Sequence, residues 1–187
     1  MAGKLSTLET AQAARQAGFA LAASASDKRS GALEAIAGAL EKNREAIFAA
    51  NAQDLENAKA EGLAAPALKR LRFDEGKLQD VCAGLRALAA MDDPIGHEQL
   101  RTELADGLVL SRVACPIGVV GVIFESRPDA LVQIAGLCLK SGNAVLLKGG
   151  REAMHSNRAL FDVMREAGEA AGMPAASLAA FITSKRI

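Results

Sequence analysis

Residues 114–152 read ACPIGVVGVIFESRPDALVQIAGLCLKSGNAVLLKGGRE and decide the fold of this chain. Val119 to Phe124 is an almost unbroken apolar run, as expected for a strand buried on both faces of a parallel sheet. Apolar residues then recur at helical spacing between Leu131 and Cys138, and Ala144 to Leu147 is a second short strand. We therefore predict a β-α-β unit with polar groups at the carboxyl ends of its strands, where open α/β sheets bind ligands.

The composition excludes several classes of function. Lysine plus arginine equals aspartate plus glutamate at 22 each, and half of the 187 residues are apolar. A neutral chain without tryptophan or tyrosine lacks the charge and the stacking platforms of nucleic-acid binders. The apolar runs are too short to cross a bilayer, and no secretory leader is visible. We expect a cytoplasmic protein that has neither nucleic acid nor membrane as a partner.

Three cysteines argue against a metal site or a disulfide framework. Cys82, Cys115 and Cys138 are widely spaced, with no CxxC pair and no Cys/His cluster. We expect Cys82 and Cys138 to be small core residues on helix faces. We predict no metal site.

The residues on either side of the central stretch predict two further parts. Helical patterns extend from Leu8 to Leu88, with Asp74 as the N-cap of the last helix, so we assign residues 1–97 to a helical layer. Ala105-Asp106-Gly107 separates two strand patterns and predicts a β-hairpin over residues 98–114. A two-stranded ribbon is unstable alone and must be covered, either by a partner subunit or by a further part of the chain. Residues 115–187 form the parallel-sheet part, whose third strand we place at Leu178 to Ile182.

Three quoted motifs carry a resemblance to a known family. PIGVVGVIFESRPD, CLKSGNAVLLKGGREA and HSN resemble the γ-glutamyl phosphate reductase family, also called glutamate-5-semialdehyde dehydrogenase, of the aldehyde dehydrogenase superfamily. The resemblance implies a Rossmann-like, aldehyde dehydrogenase-type nucleotide-binding domain with an amino-terminal helical layer and a hairpin arm that bridges subunits in a homo-oligomer. It covers only the amino-terminal portion of such an enzyme. We therefore expect the chain to be incomplete and to lack the catalytic domain, and Thr183 to Ile187 depart from the family pattern.

The turn after the second strand is the first candidate site. Lys148 at a strand end can meet a ribose or a 2′-phosphate, and Gly149-Gly150 lets backbone approach a ligand ahead of a helix N-terminus. The spacing alone leaves an ordinary turn as the alternative. The resemblance implies contacts to the adenosine side of a dinucleotide, with Arg151 where many relatives have a glutamate. A cation there suits NADP better than NAD.

The turn after the first strand is the second candidate site. The resemblance implies that Phe124, Glu125 and Ser126 lie near the nicotinamide and that Ser126 and Arg127 bind substrate. Arg127 is suited to hold a carboxylate or an acyl phosphate. A salt-bridged turn without function is the alternative. His155 and Asn157 of the HSN motif are predicted to be structural.

The resemblance implies a reaction in proline biosynthesis. It is the NADPH-dependent reduction of L-glutamate 5-phosphate to L-glutamate 5-semialdehyde and phosphate, with a possible functional association with glutamate 5-kinase. The family's reactive cysteine matches none of the three cysteines here, so we assign no catalytic residue to this chain and expect it to be inactive alone. Two alternatives remain: another acyl-reducing aldehyde dehydrogenase, or a non-catalytic dinucleotide-binding module.

Overall fold

The structure is a computed structural model that describes residues 6–180. Its first half is the predicted helical layer, made of α1 (Thr7–Ala22), α2 (Ser26–Lys42), α3 (Arg44–Ala60), α4 (Ala65–Leu71) and α5 (Glu75–Ala90). Ser6 and Glu9 form a reciprocal capping box at the start of α1. Asp74 caps α5 as predicted, because its carboxylate accepts the Lys77 N–H at 3.2 Å. These caps satisfy N–H groups that the helices leave without partners.

The predicted hairpin is present. Strands β1 (Glu98–Ala105) and β2 (Leu108–Val113) pair in antiparallel fashion, and Ala105 lies opposite Leu108. Gly107 takes a φ of +73°, a conformation that favours glycine, which explains the Asp-Gly turn. All residues of both strands are exposed, and the exposed large apolar side chains among them are Leu100, Leu104, Leu108, Val109, Leu110 and Val113.

The second half is an α/β unit with a parallel sheet, which confirms the predicted fold class. Its elements are β3 (Val119–Ile123), α6 (Pro128–Lys140), β4 (Ala144–Lys148), a 3₁₀ turn (Arg151–Ala153), α7 (Met154–Ala170) and β5 (Leu178–Ala180). The strands of the described residues lie in the order β3-β4-β5 and are all parallel. Gly142 ends α6 with a φ of +72°. The prediction for the third strand extended to Ile182, and its last two residues lie outside the described range.

One prediction about the sheet is wrong. We expected Val119 to Phe124 to be buried on both faces, but β3 is only half-buried, and Ile123 is 85 % exposed. The buried strand is β4, where Val145 and Leu147 are inaccessible to solvent. The reason is position: within residues 6–180, β4 pairs on both sides, whereas β3 has one neighbour.

One large apolar core joins the helical layer to the sheet. Helix α2 packs against α5 and α7, and buried residues of α5, α6 and β4 belong to the same cluster. Helices α5 and α6 approach closely at Gly136, where an added Cβ would lie 2.6 Å from Leu85 Cδ2. The division of the chain into parts at residues 1–97, 98–114 and 115–187 stays a prediction.

Two buried cations lie where the hairpin joins this body. Arg29 is 1 % exposed and holds both carboxylate oxygens of Asp93 through Nη2, at 2.7 and 2.6 Å. Its other donors bond the carbonyl oxygens of Ser24 and Lys140. Lys140 is 4 % exposed and donates to Ser30 Oγ and to the carbonyls of Ala89 and Met91, the last at 2.6 Å.

We call Arg29, Asp93 and Lys140 the ionic hub. The donors of Arg29 and Lys140 bind carbonyl oxygens at or just after the ends of α1, α5 and α6. The last turn of a helix leaves such acceptors without partners. Residues 91–97, which lead into the hairpin, are thereby held on the body.

Among residues 6–180, no helix has both the length and the hydropathy that a bilayer-spanning segment needs.

Candidate functional site

The candidate residues meet at one edge of the sheet. Ile123 is in register with Lys148, and the Phe124 N–H donates to the Lys148 carbonyl at 3.0 Å. The turns that follow β3 and β4 are therefore neighbours, as parallel strands require. The structure places the predicted residues Phe124 to Arg127 beside Lys148 to Arg151.

Two glycines allow the turns to come this close. A Cβ added at Gly149 would collide with the Asn157 amide and lie 3.1 Å from the Phe124 ring. A Cβ added at Gly150 would collide with Ser126 Oγ and lie 2.7 Å from a Glu152 oxygen. The Gly149-Gly150 pair is thus required for packing between the two turns, in addition to the ligand approach predicted for it.

Ser126 forms a hydrogen bond with Glu152, a residue that was not among the sequence-based candidates. Its hydroxyl donates to Glu152 Oε2 at 2.7 Å. This bond, with a backbone hydrogen bond and the nearby cations Arg151 and Lys148, lowers the pKa of Glu152 against the opposing effect of burial. Because a hydroxyl has a single proton to donate, Ser126 has no second one to offer an oxyanion in this arrangement.

The charged residues around these turns have weak local partners. Lys148 Nζ donates to the Gly149 carbonyl at 2.8 Å. Arg151 pairs with Glu61, the residue after α3, and Glu125 pairs with Arg70 of α4, both at 3.2 Å and both between exposed side chains. Exposed pairs of this kind contribute about 0–1 kcal/mol, so a charged ligand can displace them at little cost.

Arg127 is held from the helix that follows it. One guanidinium nitrogen lies 3.2 Å from Asp129 Oδ2, while the side chain stays 50 % exposed. Asp129 is buried in the first turn of α6, and Lys77 approaches its other oxygen at 3.4 Å. Asp129 therefore orients Arg127 and leaves the other donors of the guanidinium accessible.

The N-terminus of α7 is already occupied by a carboxylate. Buried Asp54 of α3 accepts the N–H of His155 and the N–H and hydroxyl of Ser156, at 3.0, 2.7 and 2.6 Å. Asp54 of α3 therefore binds the N–H groups of residues 155 and 156 at the start of α7. The expected approach of a ligand to the Gly149-Gly150 backbone ahead of this helix stays a prediction.

Asn51 and Asp54 are the residues that sequence reasoning missed. Asn51 donates to the Leu71 carbonyl and to Ser156 Oγ, and it accepts the Phe73 N–H. Both residues lie three apart on α3 and are buried among apolar neighbours. That spacing of two polar residues on the apolar face was the available signal. His155 and Ser156 are thereby placed in a structural network.

Two cavities border the turns. One of about 290 Å³ is lined by Leu63, Ala67, Arg70, Glu125, Ser126, Gly150 and Glu152. The other, of about 170 Å³, lies between α3 and the start of α7 and is lined by Asp54, Asn57, Ala58, Glu61, Arg151, Glu152, Met154 and His155. Glu152 lies on the wall of both cavities.

These residues fit a dinucleotide by chemistry. Glycine backbone, two cations and a hydroxyl meet at the strand ends beside open cavities. Buried Asn157 Oδ1 also has no hydrogen-bond partner within residues 6–180. Buried acceptors are nearly always paired, so this one is an exception, and it lies on the side chain that packs beside Gly149.

Two of the three cysteines, Cys82 and Cys138, are buried. Burial is the main cause that raises the pKa of Cys82 to about 11, and burial also raises the pKa of Cys138. Cys115 is exposed and lies between β2 and β3 along the chain. Within residues 6–180 no group of three or more potential metal-binding side chains is assembled.

Comparison with known proteins identifies close relatives, although no protein-family model matches the chain. The γ-glutamyl phosphate reductase of Acetivibrio thermocellus is 51 % identical over 170 residues, which is 91 % of this chain and 39 % of the relative. The relative from Pelotomaculum thermopropionicum gives the same identity over 89 % of this chain and 38 % of its own length. The chain thus spans about two fifths of the curated relatives it matches.

Solved structures superpose on nearly the whole of this chain. The γ-glutamyl phosphate reductase of Thermotoga maritima superposes with a TM-score of 0.91 at 32 % identity, over 96 % of this chain and 43 % of that protein. An NAD-dependent benzaldehyde dehydrogenase from Corynebacterium glutamicum superposes over 98 % of this chain and 38 % of its own length with a TM-score of 0.70. Its identity is 19 %, so this second likeness is one of fold alone.

Proposed function

Because this chain belongs with the γ-glutamyl phosphate reductases of the aldehyde dehydrogenase superfamily, over part of their length, we propose that it supplies the dinucleotide-binding part of such an enzyme. The proposed reaction is the NADPH-dependent reduction of L-glutamate 5-phosphate to L-glutamate 5-semialdehyde and phosphate, a step of proline biosynthesis. The observation that carries the proposal is the 51 % identity, joined to glycines and cations at the strand ends.

The proposed cofactor residues are Lys148, Gly149, Gly150 and Arg151, with Phe124, Glu125 and Ser126 on the adjacent turn. When bound, NADPH supplies the hydride. Lys148 and Arg151 are two cations suited to phosphate groups: Lys148 Nζ donates to the Gly149 carbonyl, and Arg151 pairs with the exposed carboxylate of Glu61. Two cations favour the 2′-phosphate of NADP over a free ribose diol.

Arg127 is the proposed substrate residue. Its guanidinium offers a planar set of donors that matches a carboxylate or a phosphate, and Asp129 holds it in place. Ser126 contributes by anchoring Glu152 between the two cavities. We assign the reactive thiol to a part of the enzyme other than these residues, and we expect the 187-residue chain alone to be inactive.

The cofactor proposal is tested by replacing Lys148 with alanine and measuring NADPH binding to a full-length reductase that carries this sequence over the matched region. Loss of a charge-assisted contact worth about 1.5 kcal/mol should weaken binding about tenfold. Lys42→Ala, an exposed lysine at the end of α2, is the control. An unchanged dissociation constant for Lys148→Ala would remove that lysine from the cofactor site.

We also propose that the hairpin is an oligomerisation arm. Its exposed apolar side chains need a cover, and a two-stranded ribbon is marginal alone. Deleting residues 99–114 from the full-length reductase should lower the assembly size measured by light scattering, and an unchanged size would exclude this role. A cytoplasmic location and a functional association with glutamate 5-kinase complete the proposal.

A further inference from the structure

A third cavity, on the helical layer, is rich in cations. It has a volume of about 500 Å³ and lies between α3, α4 and the start of α5. We call it the cationic groove, and its lining residues are Leu55, Lys59, Ala65, Leu68, Lys69, Arg72, Asp74 and Lys77. Its floor is apolar, and its charged groups are four cations and one carboxylate.

Three of the four cations of the groove have no ion-pair partner among the described residues, and the fourth, Lys77, pairs with Asp129. Within residues 6–180, Lys59, Lys69 and Arg72 form no ion pair. The one carboxylate, Asp74, accepts the Lys77 N–H as the cap of α5. The chain as a whole has equal numbers of acidic and basic residues, so the excess of positive charge is local.

The groove is continuous with the substrate side of the proposed site. Lys77 approaches Asp129 at 3.4 Å, and Asp129 in turn holds Arg127 at 3.2 Å. Lys77 also donates to the Arg70 carbonyl, and the Arg70 side chain pairs with Glu125 at 3.2 Å. Lys77 therefore links the groove, through Asp129, to Arg127 on the turn after β3.

We propose that the cationic groove is a binding surface for the anionic acyl-phosphate substrate, which it captures and delivers to Arg127. The inference rests on the proposed function. Glutamate 5-phosphate carries an acyl phosphate at one end and an α-carboxylate beside an ammonium group at the other, with two methylene groups between them. Its net negative charge and methylene chain suit a groove with a cationic rim and an apolar floor. Unpaired cations at a site entrance raise the local concentration of anions and their rate of association by about 10–10³-fold.

The experiment uses the full-length reductase with Lys59, Lys69 and Arg72 all replaced by glutamine. Lys77 is retained because it holds Asp129. At low ionic strength the triple variant should lose about three- to tenfold in kcat/KM for the acyl phosphate. The loss should disappear near ~0.5 M salt, where the Debye length falls to a few ångströms. The kcat/KM for NADPH should stay within about twofold.

A matched control removes the same charge elsewhere. Lys28, Lys42 and Arg44 are exposed on α2 and α3, and their triple glutamine variant should leave both values unchanged. An equal loss in the control, an equal loss for both substrates, or no loss at all would overturn the groove proposal.

Arg127→Ala separates this inference from the proposed function. If that variant raises the KM for the acyl phosphate and the groove variant has no effect, the groove proposal is wrong while the substrate assignment stands. If neither variant changes the KM for the acyl phosphate, the substrate assignment itself fails and the groove proposal fails with it.

Discussion

Two regions of this molecule place an arginine beside an aspartate, with opposite results. In the ionic hub, Arg29 is buried, and its guanidinium meets both oxygens of Asp93 as well as two carbonyls. At the strand ends, Arg127 is half exposed and makes one contact of 3.2 Å with Asp129. The hub pair has its donors satisfied within the chain, whereas Arg127 keeps donors free for a ligand.

The two lysines repeat the contrast. Lys140 directs its three donors to two carbonyls and a hydroxyl, whereas Lys148 contacts the carbonyl of the next residue. Buried charges are tolerated only when they are fully hydrogen-bonded, so the hub residues have no capacity left for chemistry. Charge that serves a ligand must therefore be left incompletely paired, and in this chain that condition is met at the strand ends.

The largest effect should come from breaking the hub. Asp93→Ala leaves the Arg29 guanidinium buried without its counter-charge, which typically destabilises a protein by about 3–5 kcal/mol. Urea unfolding of the chain, followed by circular dichroism, measures the change. Asp92→Ala is the control, since Asp92 is its exposed neighbour. A loss below about 1 kcal/mol would mean that water replaces the carboxylate.

A smaller loss is expected for Lys140→Met. The methionine keeps most of the apolar stem but leaves the carbonyls of Ala89 and Met91 without a donor, at a cost of about 1–3 kcal/mol for buried groups. The same unfolding experiment measures it. An equal effect of Lys148→Met would contradict the contrast between the two lysines.

Acid should weaken the hub. Burial opposes ionisation of Asp93, but hydrogen bonds from the Ile95 N–H and from Arg29, with the Arg29 charge, hold its pKa below the usual value. A lowered folded-state pKa adds stability that is present above the unfolded pKa of about 4 and is lost as pH falls through the folded value.

Unfolding measured between about pH 6 and pH 3 should therefore show a fall in stability that is shallower in Asp93→Asn. The pKa of Glu152 is lowered as well, mainly by the Ser126 hydroxyl, so Glu152→Gln should change the profile in the same direction. An Asp93→Asn profile parallel to that of the unchanged chain would show that Asp93 is not a source of the pH dependence.

The smallest change in stability should follow Arg151→Ala. The Arg151–Glu61 pair is exposed, so its loss should cost less than about 0.5 kcal/mol. In the full-length reductase the same variant should weaken NADPH binding and leave NADH binding unchanged, as measured by fluorescence titration. Equal weakening of both dinucleotides would remove Arg151 from recognition of the 2′-phosphate.

Local patterns were enough to predict most elements of this fold. The Asp106-Gly107 turn, the Asp74 cap and the helix between Leu131 and Cys138 each depend on residues a few positions apart. The relatives confirm the family that the motifs of residues 114–157 indicated. The burial of β3 was predicted wrongly because an apolar run does not reveal whether a strand has one neighbour or two.

The site was predicted in part. The meeting of residues 124–127 with residues 148–151 follows from parallel strands, and the sequence shows where those strands end. The pairing of Ser126 with Glu152 and the capping of α7 by Asp54 do not follow, because each joins residues 26 or more positions apart. The ligand contacts of residues 124–127 and 148–151 stay predictions.

By itself the sequence determined the α/β class, the helical layer, the hairpin and the family, since these depend on local periodicity, turn chemistry and motif spacing. Only the tertiary structure decided which charges are satisfied. The sequence shows Arg29, Lys140 and Arg151 simply as three cations. Whether each one stabilises the fold or can bind a ligand depends on the carbonyls and carboxylates that distant parts of the chain bring to it.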